Sequence, residues 1–196
     1  MKKNRRQYFI VVCAAVVGMF FTGLLSPALS AEATEEQLLV DKARITFESF
    51  ISDPNMSYLK EHLKDAKGIL IVPSLLKAGF VFGGSGGSGV LIVNDAKKGQ
   101  WSQPAFYTIG SVSFGLQIGG EAAEVIMMVR TQKAMDKLLT SSFKLGGDTS
   151  VSVGPVGTGA KSNVVADIFS FSRSKGAFAG LALDGSVVTT RDKWNA

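Results

Sequence analysis

The chain has 196 residues, one Cys, one His and a formal net charge of +5, from 21 basic against 16 acidic residues. Its length fits one domain, and 46% hydrophobic with 19% charged residues fits a packed core rather than a disordered tail. One Cys and one His exclude a disulfide scaffold, a cysteine zinc site and a multi-histidine metal centre.

The first element in chain order is an export leader. Lys2, Lys3, Arg5 and Arg6 precede an almost wholly apolar run from Tyr8 to Leu25, and Pro27-Ala28-Leu29-Ser30-Ala31 follows with small residues. Charge, apolar stretch and small-residue exit make a secretory signal peptide, bacterial in style. Cleavage is expected after Ser30, with Ala31 and Ala33 as alternatives. A retained anchor is the competing reading, because the apolar run is near spanning length. Cys13 does not read as a lipoprotein cysteine, since Val12 precedes it and apolar sequence continues past it. The expected destination is the periplasm or cell envelope. The leader holds four of the bases and no acid, leaving 17 bases against 16 acids in residues 31–196. That near-neutral balance removes the main support for nucleic-acid binding.

Residues 31–196 read as a single domain with two textures: no Gly from Glu32 to Lys67, then 20 from Gly68 to Gly185. Thr34-Glu35-Glu36-Gln37 is a capping-box pattern. Leu39, Ala43, Phe47, Phe50 and Ile51 then recur at helical spacing, predicting an amphipathic helix over 34–52. Asp53-Pro54 ends it and starts a second helix from about Asn55 to Ala66, with Leu59, Leu63 and Ala66 inward and Lys60, Lys64 and Lys67 on another face.

From Gly68 the period becomes two. Ile69–Val72 predicts a short strand stopped by Pro73, and Gly79–Gly83 and Gly89–Asn94 predict two strands joined by a glycine loop. Phe106–Ile118 predicts a long strand with one small-residue face. Val125–Val129 is apolar on both faces and therefore central. A short helix over Thr131–Leu139 precedes strands at Ser150–Gly154, Val164–Ser172, Gly176–Leu183 and Ser186–Thr190, with Asp184-Gly185 as a hairpin turn. The fold class is α+β: a mostly antiparallel, strongly curved sheet or barrel flanked by N-terminal helices, with one short inserted helix.

No catalytic constellation emerges. Gly84-Ser85-Gly86-Gly87-Ser88-Gly89 matches GxGxxG by letter, but Val90–Val93 continues it as a strand where a nucleotide site needs a helix. His62 reads as a solvated helix residue, and no serine sits in a GxSxG elbow. Asp148, Asp167 and Asp184 fall near strand ends, where Asp serves local hydrogen bonding. The chain is expected to be no enzyme and to need no cofactor, metal or nucleotide.

Two features suit a membrane surface. The first helix can present Leu39, Phe47 and Phe50 for insertion at a lipid interface, against the alternative that it covers the sheet. Lys60, Lys64, Lys67 and Lys77, with Arg173 and Lys175, can attract anionic headgroups.

Ala66-Lys67-Gly68-Ile69-Leu70-Ile71-Val72-Pro73 resembles the opening of the SYLF domain, and Lys77–Gly84, Gly89-Val90-Leu91 and Trp101–Phe106 continue the match. Gly110–Gly119, Phe143–Asp148, Gly154–Gly157 and Phe171–Gly180 complete it in order, over roughly Ser57 to Asp184. The resemblance implies a lipid-binding module. Eukaryotic members act at membranes, bind phosphoinositides and are tied to cortical actin, whereas bacterial members are secreted or envelope proteins, so actin is not carried over. Relatives often have basic and aromatic residues in the glycine segment, where this chain has Ser85 and Ser88. The expected partner is a phospholipid membrane surface, reached without nucleic acid. The alternative is a structural or protein-interaction module of the envelope, with another envelope protein as partner.

Overall fold

The helical spacing ahead of the glycines becomes an 18-residue helix, α1 (Glu35–Ser52). The computed structural model describes residues 33–79, 82–95, 98–114, 119–174, 177–178 and 183–196. The leader expected at residues 1–30 and Lys175 lie outside the described residues. Thr34 caps α1 by accepting the Gln37 N–H at 3.3 Å, and Glu35 and Glu36 complement the positive end of the helix dipole. The Gln37 side chain turns forward to Asp41 instead of back to Thr34, so only half of the predicted capping box forms. Leu39, Ala43, Thr46 and Phe50 are buried on one face. Each fully buried large side chain contributes about 1.5–3 kcal/mol, more than the propensity differences along the helix. Packing therefore holds α1.

The predicted second helix is broken. A 3-10 turn (Pro54–Met56) leads into α2 (Ser57–His62), and a second 3-10 turn (Leu63–Asp65) follows. Asp53 accepts the Asn55 N–H at 2.8 Å, and Pro54 pre-sets the tight first turn. Leu59 and Ala66 are buried and Leu63 partly so, as their spacing predicts.

The sheet comprises β1 (Gly68–Gly79), β2 (Phe82–Asp95), β3 (Gln100–Trp101), β4 (Ala105–Phe114), β5 (Gly119–Val129), β6 (Ser142–Lys144), β7 (Val151–Val153), β8 (Ile168–Ser174), β9 (Ala177–Phe178) and β10 (Val187–Thr190). Helix α3 (Gln132–Leu138) lies between β5 and β6. The order is β6-β10-β4-β2-β1-β5-β8-β7, with β3 paired to β2 and β9 to β8. Only β7–β8 is parallel among these pairings. Connectivity forces the curvature. A flat path of eight strands would separate its edges by about 34 Å at ~4.8 Å per gap. Yet β6 and β7 are the two edges, and the seven steps from Lys144 to Val151 reach at most about 25 Å. A Leu145–Thr149 bridge shortens this connection further. The sheet curls into a half-barrel.

Two sequence expectations fail instructively. Pro73 does not stop β1; it sits in a bulge, where the register slips between Val72 and Leu75 against β5. The glycine loop is not a loop either. Gly83 to Gly89 run inside β2, paired with β4 from Ser113 to Tyr107. The bulge explains why glycine is needed: a Cβ on Gly87 would stand 2.6 Å from the Ser74 carbonyl oxygen and 3.0 Å from Val72 Cγ1. Smaller differences concern the last strands. β8 starts at Ile168 rather than Val164, and only Ala177–Phe178 of Gly176–Leu183 is described as strand. Gly185 (φ +82°) makes the predicted turn, but β10 pairs with β4 and β6, so no Asp184-Gly185 hairpin forms. Gly115–Ile118 of the predicted long strand lie outside the described residues.

Alternating residues divide the core. Leu70, Val125, Met127, Tyr107, Ile109 and Val188 face one cluster with Ala134, Met135 and Leu138 of α3. Ile69, Ile71, Ile126, Met128, Phe169 and Phe171 face the other, under α1 and α2. β5 is therefore apolar on both faces, as its sequence predicts. Tyr107 ties α3 to the first cluster by donating its hydroxyl to the Leu138 carbonyl at 2.9 Å, and burial raises its phenol pKa.

Candidate functional site

β1 begins where β5 ends, with Gly68 opposite Val129. Lys67 donates its N–H to the Val129 carbonyl at 2.8 Å, which sets Lys67 and Arg130 side by side at this end of the sheet. Beyond Arg130, Thr131 caps α3 by accepting the Ala134 N–H at 3.2 Å and donates its hydroxyl to Asp167 at 2.8 Å. Asp167 also accepts the Ser150 N–H at 3.0 Å and the Ser150 hydroxyl at 2.8 Å. These bonds, the Ser150 amide first, hold its carboxyl below the ordinary carboxylate value. The Asp167 carbonyl in turn accepts the Arg130 N–H at 2.8 Å. Asp167 thus staples the ends of β5, β7 and β8 together.

This scaffold forms one wall of a cleft of about 240 Å³, lined by His62, Asp65, Arg130, Thr131 and Val165 among others. The Arg130 guanidinium lies over the Phe169 ring at 4.9 Å. His62 stacks on Tyr58 with ring centres 4.0 Å apart and donates from Nδ1 to the Tyr58 carbonyl at 2.9 Å. Among the described residues, Arg130 and Asp65 belong to no ion pair, although both line the cleft. Lys60, Lys64 and Lys133 are exposed and Lys67 is half-exposed, each within two residues of a lining residue. Of the lining residues Val165 is 94% exposed, and its neighbour Val164 is 53% exposed.

The sequence-predicted site residues do not form one patch. Lys60, Lys64 and Lys67 gather at the cleft end. Lys77 sits ten residues along β1, about 30 Å away at the rise of a strand, near exposed Leu76. Arg173 is committed elsewhere: Nη2 and Nε donate to Glu124 at 2.6 and 2.8 Å, and its guanidinium lies 4.9 Å from the Phe50 ring. Lys175 lies outside the described residues. The helix residues expected to enter lipid pack inward instead. Phe50 is fully buried, Leu39 is buried and Phe47 is partly buried against the sheet. Apolar area that covers a sheet is not free for a bilayer while the helix stays docked. Among the described residues no helix is long and apolar enough to cross a membrane.

The sequence reading missed Arg130, Lys133, Asp65 and Val165. Arg130 had a signal: it directly follows the two-faced apolar run Val125–Val129, as Lys67 nearly precedes the run Ile69–Val72. Cations closing two adjacent central strands at one end must be neighbours. The three strand-end aspartates are engaged locally: Asp148 accepts the Lys144 N–H at 2.8 Å, Asp167 is the staple, and Asp184 abuts Gly146. Among the described residues no group of three His, Cys, Asp or Glu is placed to hold a metal.

Comparison with known proteins gives the context. The Ysc84 family profile, described as "Las17-binding protein actin regulator", matches residues 110–196. LAS seventeen-binding protein 3 of Saccharomyces cerevisiae is 37% identical over 140 residues, 68% of this chain and 30% of the yeast protein. SH3 domain-containing YSC84-like protein 1 of Homo sapiens is 33% identical over 135 residues, 66% of this chain and 39% of the human protein. The matched region thus spans between three and four tenths of these relatives; the yeast name and the family description are those of a binding protein and a regulator rather than of an enzyme. The ordered blocks from Ala66 to Gly180, the curled antiparallel sheet and these matches agree: the chain belongs to the Ysc84 (SYLF domain) family.

Proposed function

We propose that this chain is a non-catalytic binding module that docks on an anionic phospholipid surface of the cell envelope once its leader is removed. One observation carries the reading. Arg130 and the exposed Val165 line a cleft, Lys60, Lys64, Lys67 and Lys133 each stand within two residues of one of its lining residues, and Val164 beside Val165 is exposed as well. Cations draw a surface towards anionic headgroups at about 1 kcal/mol each, and exposed apolar side chains beside them gain from entering the interface. With residues 31–196 nearly neutral overall, attraction is local and falls with salt. The test is vesicle flotation of residues 31–196, which contain both core clusters. Recovery should be high on phosphatidylglycerol vesicles at low salt and fall as salt rises. Equal recovery on anionic and neutral vesicles would sink the proposal.

A second reading has its own support. Relatives carry the name Las17-binding, so a protein partner is the alternative ligand. A stable protein captured from an envelope extract, by a chain with no affinity for vesicles, would favour it.

A further inference from the structure

The cleft holds one cation and one anion that do not satisfy each other. Arg130 is half-buried, its guanidinium rests on Phe169, and among the described residues it has no acidic partner. A guanidinium held partly out of water is costly unless an anion shares it, and its planar fork matches two phosphate oxygens. Asp65 ends the 3-10 turn on the helical side of the same cleft, and it too lacks an ion pair among the described residues. A purely anionic ligand would meet repulsion at Asp65 and a purely cationic one at Arg130. A zwitterion satisfies both.

We propose that the cleft takes a phosphoethanolamine group, with the phosphate on Arg130 and the primary ammonium on Asp65. Size agrees: about 240 Å³ is less than the ~300–1,000 Å³ of pockets for drug-sized ligands and suits a small headgroup. Hydrogen bonding agrees as well. A primary ammonium offers three donors to the carboxylate, whereas a quaternary choline offers none and is recognised by aromatic cages. Of the residues named here as lining the cleft, only His62 is aromatic. The exposed Val165 marks the side from which a lipid's acyl chains would arrive. The proposal rests on the membrane reading for its lipid source, since free phosphoethanolamine has the same chemistry. The nearby lysines supply attraction to anionic lipid, and the cleft adds selection among headgroups.

The experiment has two arms. In the first, flotation compares phosphatidylglycerol vesicles mixed equally with phosphatidylethanolamine or with phosphatidylcholine. The ethanolamine mixture should bind several-fold more tightly at the same salt. Asp65→Asn should erase that preference while keeping binding to phosphatidylglycerol, and Arg130→Gln should erase the preference and weaken both. Equal binding to the two mixtures, or an Asp65→Asn variant that keeps the preference, overturns the assignment. In the second arm, glycerophosphoethanolamine and inorganic phosphate are titrated separately and followed by NMR. Shifts at the Arg130 Nε–H, His62 and Asp65 with the first only, lost in Asp65→Asn, uphold the cleft. Shifts reproduced by phosphate alone, or no shifts, overturn it. If no vesicle binds but the headgroup shifts the cleft, the membrane reading falls and a soluble phosphoethanolamine ligand stands.

Discussion

Arg130 and Arg173 invite direct comparison. They lie at opposite ends of one antiparallel strand pair, Arg130 just after β5 beside the start of β8 and Arg173 near the end of β8, and each sets its guanidinium 4.9 Å from a phenylalanine ring. Arg173 adds a carboxylate: Glu124 takes two of its N–H groups, and Glu124 also accepts the hydroxyl of Thr46 from α1. That network clamps α1 to the sheet. Arg130 has the ring but, among the described residues, no carboxylate, and it lines a cleft. The difference teaches that a basic residue's role here is set by whether an acid from a neighbouring strand reaches it. At the Arg173 end positive charge is spent on folding; at the Arg130 end it remains available to a ligand.

The strongest way to break this contrast is at Phe50. If the Arg173 end is core, Phe50→Ala should cost about 3–5 kcal/mol in urea denaturation. A cost under about 1 kcal/mol would mean that α1 is peripheral and its apolar face is free. Next come the arginines. Arg173→Ala strands Glu124, whose side chain is only 32% exposed, and should lose about 2–3 kcal/mol. Arg130→Ala should lose under about 1 kcal/mol of stability while weakening vesicle binding. The reverse ranking would exchange their assigned roles. A smaller effect separates the lysines. Lys64→Ala and Lys67→Ala should each weaken binding to anionic vesicles by about 1 kcal/mol and flatten its salt dependence, whereas Lys77→Ala should change neither. Loss of binding on Lys77→Ala would move the surface to the opposite end.

The smallest expected effect is pH-dependent. The Asp167 carboxyl titrates below its ordinary 3.8 in the folded chain. Its contribution is therefore full above that value and is lost as pH falls from there through the lower folded value. Asp167→Asn should flatten this acid limb of the stability profile. An unchanged limb would show that the staple does not depend on the charge.

Much of the architecture was legible locally. Leu39, Ala43 and Phe50 announced α1 because helical spacing puts them on one face, and Val125–Val129 announced a central strand because both faces are apolar. Pro73 and the glycines misled, because their usual local meaning is a stop and a loop. Paired on both sides, β1 absorbs Pro73 in a bulge, and β2 uses glycine to pass beneath it.

The site was less legible for a related reason. Lys60, Lys64 and Lys67 are neighbours in the chain, so their grouping could be read directly. The addition of Arg130, the removal of Lys77 and the capture of Arg173 depend on strand register, including a Glu124–Arg173 pairing across 49 positions. The sequence by itself determined α1, the two-faced central strand β5 and the family blocks, because periodicity and composition act over a few residues. Only the tertiary structure decided which charges are spent on the fold and which remain free. That outcome depends on distances of a few ångströms between strands remote in the chain, where an ion pair either forms or does not.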